Sequence, residues 1–197
     1  MYISRNELGG TGEILESASY LNSIVEGIKN FPLKIMEDVV TLIENTASND
    51  GVLFIAGNGG SASTASHFAT DLSVGTYKRT GKKIKAWSLV DNAGIITATA
   101  NDLSFDEVFR EQLKVHATSK DILILISASG NSSNLISAVE YAKNQGILVV
   151  AITGFDGGKL AHISDISLHF ETGKNLYGVT EDLHSICCHL IAERLRQ

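Results

Sequence analysis

His67 and Asp71 stand four residues apart in a stretch rich in alanine, serine and threonine. On a helix that spacing puts imidazole and carboxylate on one face, one turn apart. Toward the other end of the chain, Glu181, Asp182, His184 and His189 fall in a single helical stretch. Imidazole with carboxylate suits two kinds of chemistry: moving a proton between neighbouring carbons, or holding a zinc ion. A His-x-x-x-Asp pair met at random is more often a local cap or ion pair, but this one follows a loop of the kind that binds anions. Glu181 and His189 are eight residues apart, about 12 Å along an ideal helix. They share a metal only by reaching toward each other, or with Glu181 in an unwound start to the helix. Glu181 with His184 is the nearer pair by spacing.

Two loops supply the anion-binding context. An apolar run, Val52 to Ala56, ends in Gly57-Asn58-Gly59-Gly60-Ser61, and a second, Ile122 to Ile126, ends in Ser127-Ala128-Ser129-Gly130-Asn131-Ser132. Each delivers small residues onto a helix start. Glycine lets the backbone approach a ligand, and free N–H groups with the helix dipole favour negative charge. Serine hydroxyls add donors without bulk. A phosphorylated small molecule is the expected ligand.

The elements that must carry these residues follow from apolar spacing. Two helices lead, over 14–31 (Ile14, Ala18, Leu21, Val25, Ile28) and 33–48 (Ile35, Val39, Leu42, Ile43), with Pro32 between them. Five strands follow, at 52–56, 84–90, 121–127, 147–153 and 165–170, with helices at 61–72, 104–117, 132–145 and about 180–196. Strands alternating with helices predict a parallel sheet covered on both faces. Ligands bind such sheets beyond the carboxyl ends of the strands, where both small-residue loops fall. The leading helices are expected on the sheet or on a partner subunit.

Composition narrows the class. A chain of 197 residues that is 44% hydrophobic and 19% charged reads as one globular domain, 1–197. Net charge of −6 argues against nucleic acid, which rewards a basic footprint. The one basic cluster, Lys78, Arg79, Lys82, Lys83 and Lys85, reads as a solvated turn or as a means of steering an anionic substrate. No apolar run spans a bilayer, and Met1 to Gly12 lacks the pattern of a secretory leader, so the cytoplasm is expected. Cys187 and Cys188 are adjacent and read as buried helix-packing residues. Gly57-x-Gly59-x-x-Ala62 fits a loose dinucleotide fingerprint, but that motif wants an acidic residue about 20 positions on. Position 82 is lysine and Asp91 lies too far along, so a nicotinamide cofactor is disfavoured.

Several of these motifs, taken in order, resemble the sugar isomerase (SIS) domain of the phosphoheptose isomerases, over nearly the whole chain. They are Gly57 to Ser61, His67-Phe68-Ala69, Asn101-Asp102, Ser127 to Ser132, Thr153-Gly154-Phe155-Asp156-Gly157-Gly158, and the final helix with its histidines. The resemblance implies a three-layer α/β sandwich with a five-stranded parallel sheet behind two N-terminal helices, assembled as a cytoplasmic homotetramer around a four-helix core. It implies isomerisation of sedoheptulose 7-phosphate to the aldoheptose 7-phosphate, commonly with zinc. It puts substrate contacts at Asn58, Gly59, Gly60, Ser61, Asp71, Asn101, Asp102, Ser127, Ala128, Ser129, Ser132 and Glu181. The metal falls to His67, Asp71, Glu181 and His189, and proton transfer to Asp71 and His189. The family carries glutamate where this chain has Asp71, and glutamine where it has Glu181. Both replacements still ligate zinc, but Asp71 is one methylene shorter and Glu181 adds negative charge. The same fold also serves non-catalytic proteins, including a tetrameric adaptor that binds a replication initiator, and sugar-phosphate-sensing regulators. The adaptor lacks the acidic partner of the histidine, so the set His67, Asp71, Glu181 and His189 favours the enzyme.

Overall fold

The computed structural model describes residues 16–197. Ile14, the first residue of the expected leading helix, and the Met1 to Gly12 stretch lie outside them. Two helices, α1 (Ser17–Lys29) and α2 (Leu33–Ser48), precede the first strand. Then follow β1 (Val52–Gly57), α3 (Gly60–Thr70), a π-helical turn (Asp71–Gly75), α4 (Thr76–Thr80), β2 (Lys85–Ser88) and α5 (Ala93–Asp102). A 3-10 turn (Phe105–Glu107), α6 (Arg110–His116), β3 (Ile122–Ser127), α7 (Ser133–Asn144), β4 (Leu148–Thr153), α8 (Gly158–Ile163), β5 (Ile166–His169) and α9 (Tyr177–Leu195) complete the order.

The five strands form one sheet in the order β2-β1-β3-β4-β5, every neighbouring pair parallel. Side chains alternate across a strand, and here each alternate set has its own core. Leu53, Ile55, Ile122, Ile124, Ile126, Val150 and Ile152 face a core shared with α2, α3 and α9. Phe54, Ala56, Leu123, Leu125, Val149 and Ala151 face another, shared with α7, α8 and the Val108–Leu113 region. Both faces are covered, which is why the central strands read as unbroken apolar runs. The three-layer α/β architecture is the expected one.

The differences have local causes. The expected strand 84–90 pairs only over Lys85–Ser88, because Asn92 caps α5 (Ile95 N–H to its Oδ1, 3.1 Å) and draws the chain off the sheet edge. Helix α5 buries no residue, so it leaves no apolar periodicity to read. The expected helix 61–72 gives way at Asp71 to the π turn, and 104–117 divides into a 3-10 turn and α6. Helix α1 likewise buries none of its residues. Tyr20 and Ile24 lean on the first core, while Leu21, Val25 and Ile28 form an exposed stripe.

Candidate active site

Helices α3 and α9 pack side by side and carry the polar residues in matching order. At one end Glu181 meets Gly60; at the other His189 meets His67 and Asp71. The missing side chain of Gly60 leaves room for the Glu181 carboxylate, which a β-carbon there would displace. That carboxylate therefore sits against the first turn of α3, where the helix dipole favours negative charge. Gly59 is the residue that caps this turn.

Beside Glu181 lies a cavity of about 170 Å³ lined by Asn58, Ser61, Ser127, Ala128, Ser129, Ser132 and Tyr177. It stands at the carboxyl ends of β1 and β3, and both small-residue loops contribute. The Ser127 hydroxyl accepts the Gly130 N–H at 3.1 Å, and the Ser129 hydroxyl accepts the Asn131 N–H at 3.3 Å. Each hydroxyl keeps its own proton to donate. Ser132 opens α7 without spending its side chain on a cap, while the next residue, Ser133, donates its hydroxyl to Asp106. Three hydroxyls thus line the cavity, and Ser132 stands at the start of a 12-residue helix whose first N–H groups have no intrahelical partner. This is where an anion fits. Glu181 is the one carboxylate among the described residues of that lining.

The second cluster is His67, Asp71 and His189, whose ligating atoms all lie within 4.8 Å of one another. His67 Nε2 is 3.6 Å and His189 Nε2 3.9 Å from Asp71 Oδ2, and the two imidazole rings meet edge to face at 5.0 Å. Two imidazoles and a carboxylate on partly exposed side chains suit a divalent metal of the zinc type and leave an open coordination position. The π turn that begins at Asp71 is a common device at functional sites.

Other expected residues are placed elsewhere. Glu181 stands outside the three-residue cluster and in the cavity wall. Helix α9 begins at Tyr177, so Glu181 sits inside a regular helix and not in an unwound start. The Glu181/His184 pairing is overturned: His184 is fully buried against Phe170 on the core side of α9. Asp182 accepts the Tyr20 hydroxyl at 2.6 Å. Asn101 and Asp102 end α5, exposed and hydrogen-bonded to each other at 2.9 Å, away from the cavity lining. The basic cluster reads as a surface turn, since Arg79 pairs with Glu193, Lys82 with Glu44 and Lys85 with Asp50. Sequence reasoning missed Asn134 and Arg196, which hold the site from behind. It also missed Tyr177, whose ring packs edge-on to Phe155 at 5.0 Å.

The doubly covered parallel sheet with two small-residue loops at strand ends is that of a SIS domain, whose family model matches residues 18–154. The chain belongs to the SIS-domain family, among its phosphoheptose isomerases. It is 35% identical over 178 residues to the phosphoheptose isomerase of Helicobacter pylori (strain P12), covering 90% of this chain and 91% of that one. It is 32% identical to a probable phosphoheptose isomerase of Thermoplasma acidophilum, with 90% and 96% covered. The solved phosphoheptose isomerase of Neisseria gonorrhoeae superposes with a TM-score of 0.81 at 30% identity, over 90% of this chain and 93% of that one. The protein is an isomerase of this family.

Proposed function

We propose that the chain, as a single SIS domain over 1–197, interconverts sedoheptulose 7-phosphate and D-glycero-D-manno-heptose 7-phosphate, with zinc at His67, Asp71 and His189. One observation carries the reading. The Glu181 wall of the cavity and the His67, Asp71 and His189 cluster lie along the one seam between α3 and α9, separated by the run from Gly60 to His67, with the serine loop on the cavity's β3 side. That run is about 10 Å of helix. A long ketose with its phosphate at the end remote from the carbonyl suits such a division of labour.

Ser127, Ser129, Ser132 and the start of α7 hold the phosphate, and Asn58, Ser61 and Glu181 meet the hydroxyls. Isomerisation removes a proton from C1 of the ketose and delivers one to C2, through an enediolate. Asp71 and His189 serve as the base and acid of that exchange. A lone pair that holds zinc cannot take up a proton at the same time, so whichever of the two moves the proton does so while free of the metal. Zinc, when bound, supplies polarisation of the carbonyl and stabilisation of the charge on its oxygen. Asp71 acts through Oδ2, the oxygen turned toward both imidazoles.

The family's cytoplasmic homotetramer is proposed for this chain as well. The exposed stripe of Leu21, Val25 and Ile28 on α1 supports it as a helix-packing surface. Among the described residues no helix is long and apolar enough to cross a membrane.

The test is conversion of sedoheptulose 7-phosphate by the purified protein, followed by nuclear magnetic resonance. Formation of the aldoheptose phosphate is expected. Tight binding without conversion would place the chain with the non-catalytic phosphosugar-binding members of the fold.

A further inference from the structure

The end of α9 folds back on the cluster through one side chain. Arg196 Nη2 lies 3.0 Å from the backbone carbonyl oxygen of Asp71 and 3.0 Å from its Oδ1. The wide π turn leaves that carbonyl accessible, and it also accepts the Thr76 hydroxyl at 3.0 Å. The other arm of the guanidinium, Nη1, donates to Glu193 Oε1 at 2.7 Å, and Glu193 is itself held by Arg79 at 2.8 and 3.0 Å. The Arg196 side chain is 10% exposed, so its bonds act in a setting where charge-assisted hydrogen bonds are strong. Gly75 makes the approach possible: a β-carbon there would overlap Nη2, while Asp71 Oδ1 lies 3.4 Å from the same point.

We propose that Arg196 is a positioning residue for Asp71, fixing Oδ1 and the carbonyl so that Oδ2 is presented to His67 and His189. Asp71 carries two oxygens with separate duties. One is tied to a guanidinium that touches neither the cavity nor the imidazoles; the other is left for the metal and the proton. A short aspartate side chain has little freedom once Oδ1 is fixed, so the position of Oδ2 is set by Arg196 and the π turn together.

The inference rests on the assignment of Asp71 to proton transfer and metal binding, and its test separates the two. Arg196→Met, Arg196→Lys and Gly75→Ala are compared with wild type by crystal structure, by zinc affinity in chelator competition, and by kinetics on sedoheptulose 7-phosphate. Arg196→Met is expected to turn the Asp71 carboxylate away from the imidazoles and to lower zinc affinity and kcat by about 10–100-fold. KM should stay within about twofold, because the cavity is untouched. Lysine should recover part of the loss, and Gly75→Ala should reproduce it with the arginine still present. If Asp71 keeps its rotamer, and zinc affinity and kcat stay at wild-type values while only thermal stability falls, Arg196 is a staple for the chain end and the proposal is wrong. If wild type neither binds zinc nor turns over the sugar, the functional reading fails, and the Asp71 rotamer in the variant still decides this one.

Discussion

The side-chain amides of Asn58 and Asn134 exchange two hydrogen bonds, Nδ2 to Oδ1 in both directions, at 2.9 and 3.0 Å. Asn58 belongs to the loop after β1, and Asn134, 1% exposed, to the first turn of α7. This reciprocal pair fastens the two small-residue loops to each other. The cavity between them is therefore held by a contact that neither loop could make alone.

Asn134→Ala should consequently reduce stability by about 1–3 kcal/mol, the cost of leaving a part-buried amide unpaired. Affinity for the sugar phosphate should fall with it, since Asn58 and Ser129 would no longer be fixed relative to one another. Urea unfolding and titration calorimetry read the two effects. An unchanged unfolding midpoint would show that solvent satisfies the orphaned Asn58.

Ser129→Ala removes one hydroxyl from the anion end of the cavity. A hydrogen bond to a charged group is worth about 1.5–3 kcal/mol, so phosphosugar affinity should fall roughly tenfold or more. Circular dichroism should be unaltered, because the Ser129 hydroxyl supports only the Asn131 N–H. Unchanged affinity would place the phosphate elsewhere.

Buried His184 should make the protein sensitive to acid. Its ring nitrogens make no hydrogen bond of normal geometry. Desolvation pushes its pKa from 6.5 down to about 4, only partly offset by the Thr153 backbone. The folded state keeps the ring neutral while the unfolded chain takes up a proton below pH 6.5, so stability falls as pH drops from 6.5 toward 4. The loss approaches about 1.4 kcal/mol per pH unit and is on the order of 3 kcal/mol in all. His184→Leu should flatten that limb of a stability-versus-pH curve. A limb of unchanged slope would assign the acid sensitivity to other groups.

Cys187 and Cys188 are both buried, and burial pushes the Cys187 thiol up to about 12 and the Cys188 thiol well above its ordinary value. Neither forms the reactive thiolate at neutral pH. Native protein should resist a thiol reagent at pH 8, and both residues should react once it is unfolded. Rapid labelling of the native state would mean that α9 opens locally.

The sheet and both loops were legible in the sequence because their signals are local. Val52 to Gly57 and Ile122 to Ser127 are continuous apolar runs closed by small residues. The seam of α3 and α9 was legible in part. His67 and Asp71 share a face as their spacing implied and meet His189. Glu181, the fourth residue of the metal set the resemblance implied, stands outside the cluster, and His184 faces the core, because helix phase at the far end of the chain depends on packing. Arg196 and Asn134 were not legible. Each acts on a residue 125 or 76 positions away, and arginine near a helix end or asparagine after a serine loop has ordinary local explanations. The π turn had no sequence signal beyond Gly75, whose lack of a side chain matters only once the arginine is in place.

The most direct test of the account is a proton-exchange measurement in heavy water. Zinc-loaded protein is incubated with sedoheptulose 7-phosphate, and deuterium at C1 of the ketose and C2 of the aldose is followed by nuclear magnetic resonance, in wild type, Asp71→Asn and His189→Ala. Wild type should exchange and isomerise. Both variants should still bind the sugar phosphate by calorimetry, yet lose at least about 10²-fold in exchange rate, the usual contribution of a positioned acid or base. Exchange at the wild-type rate in either variant, or sugar binding without exchange in wild type, would contradict the assignment of proton transfer to Asp71 and His189.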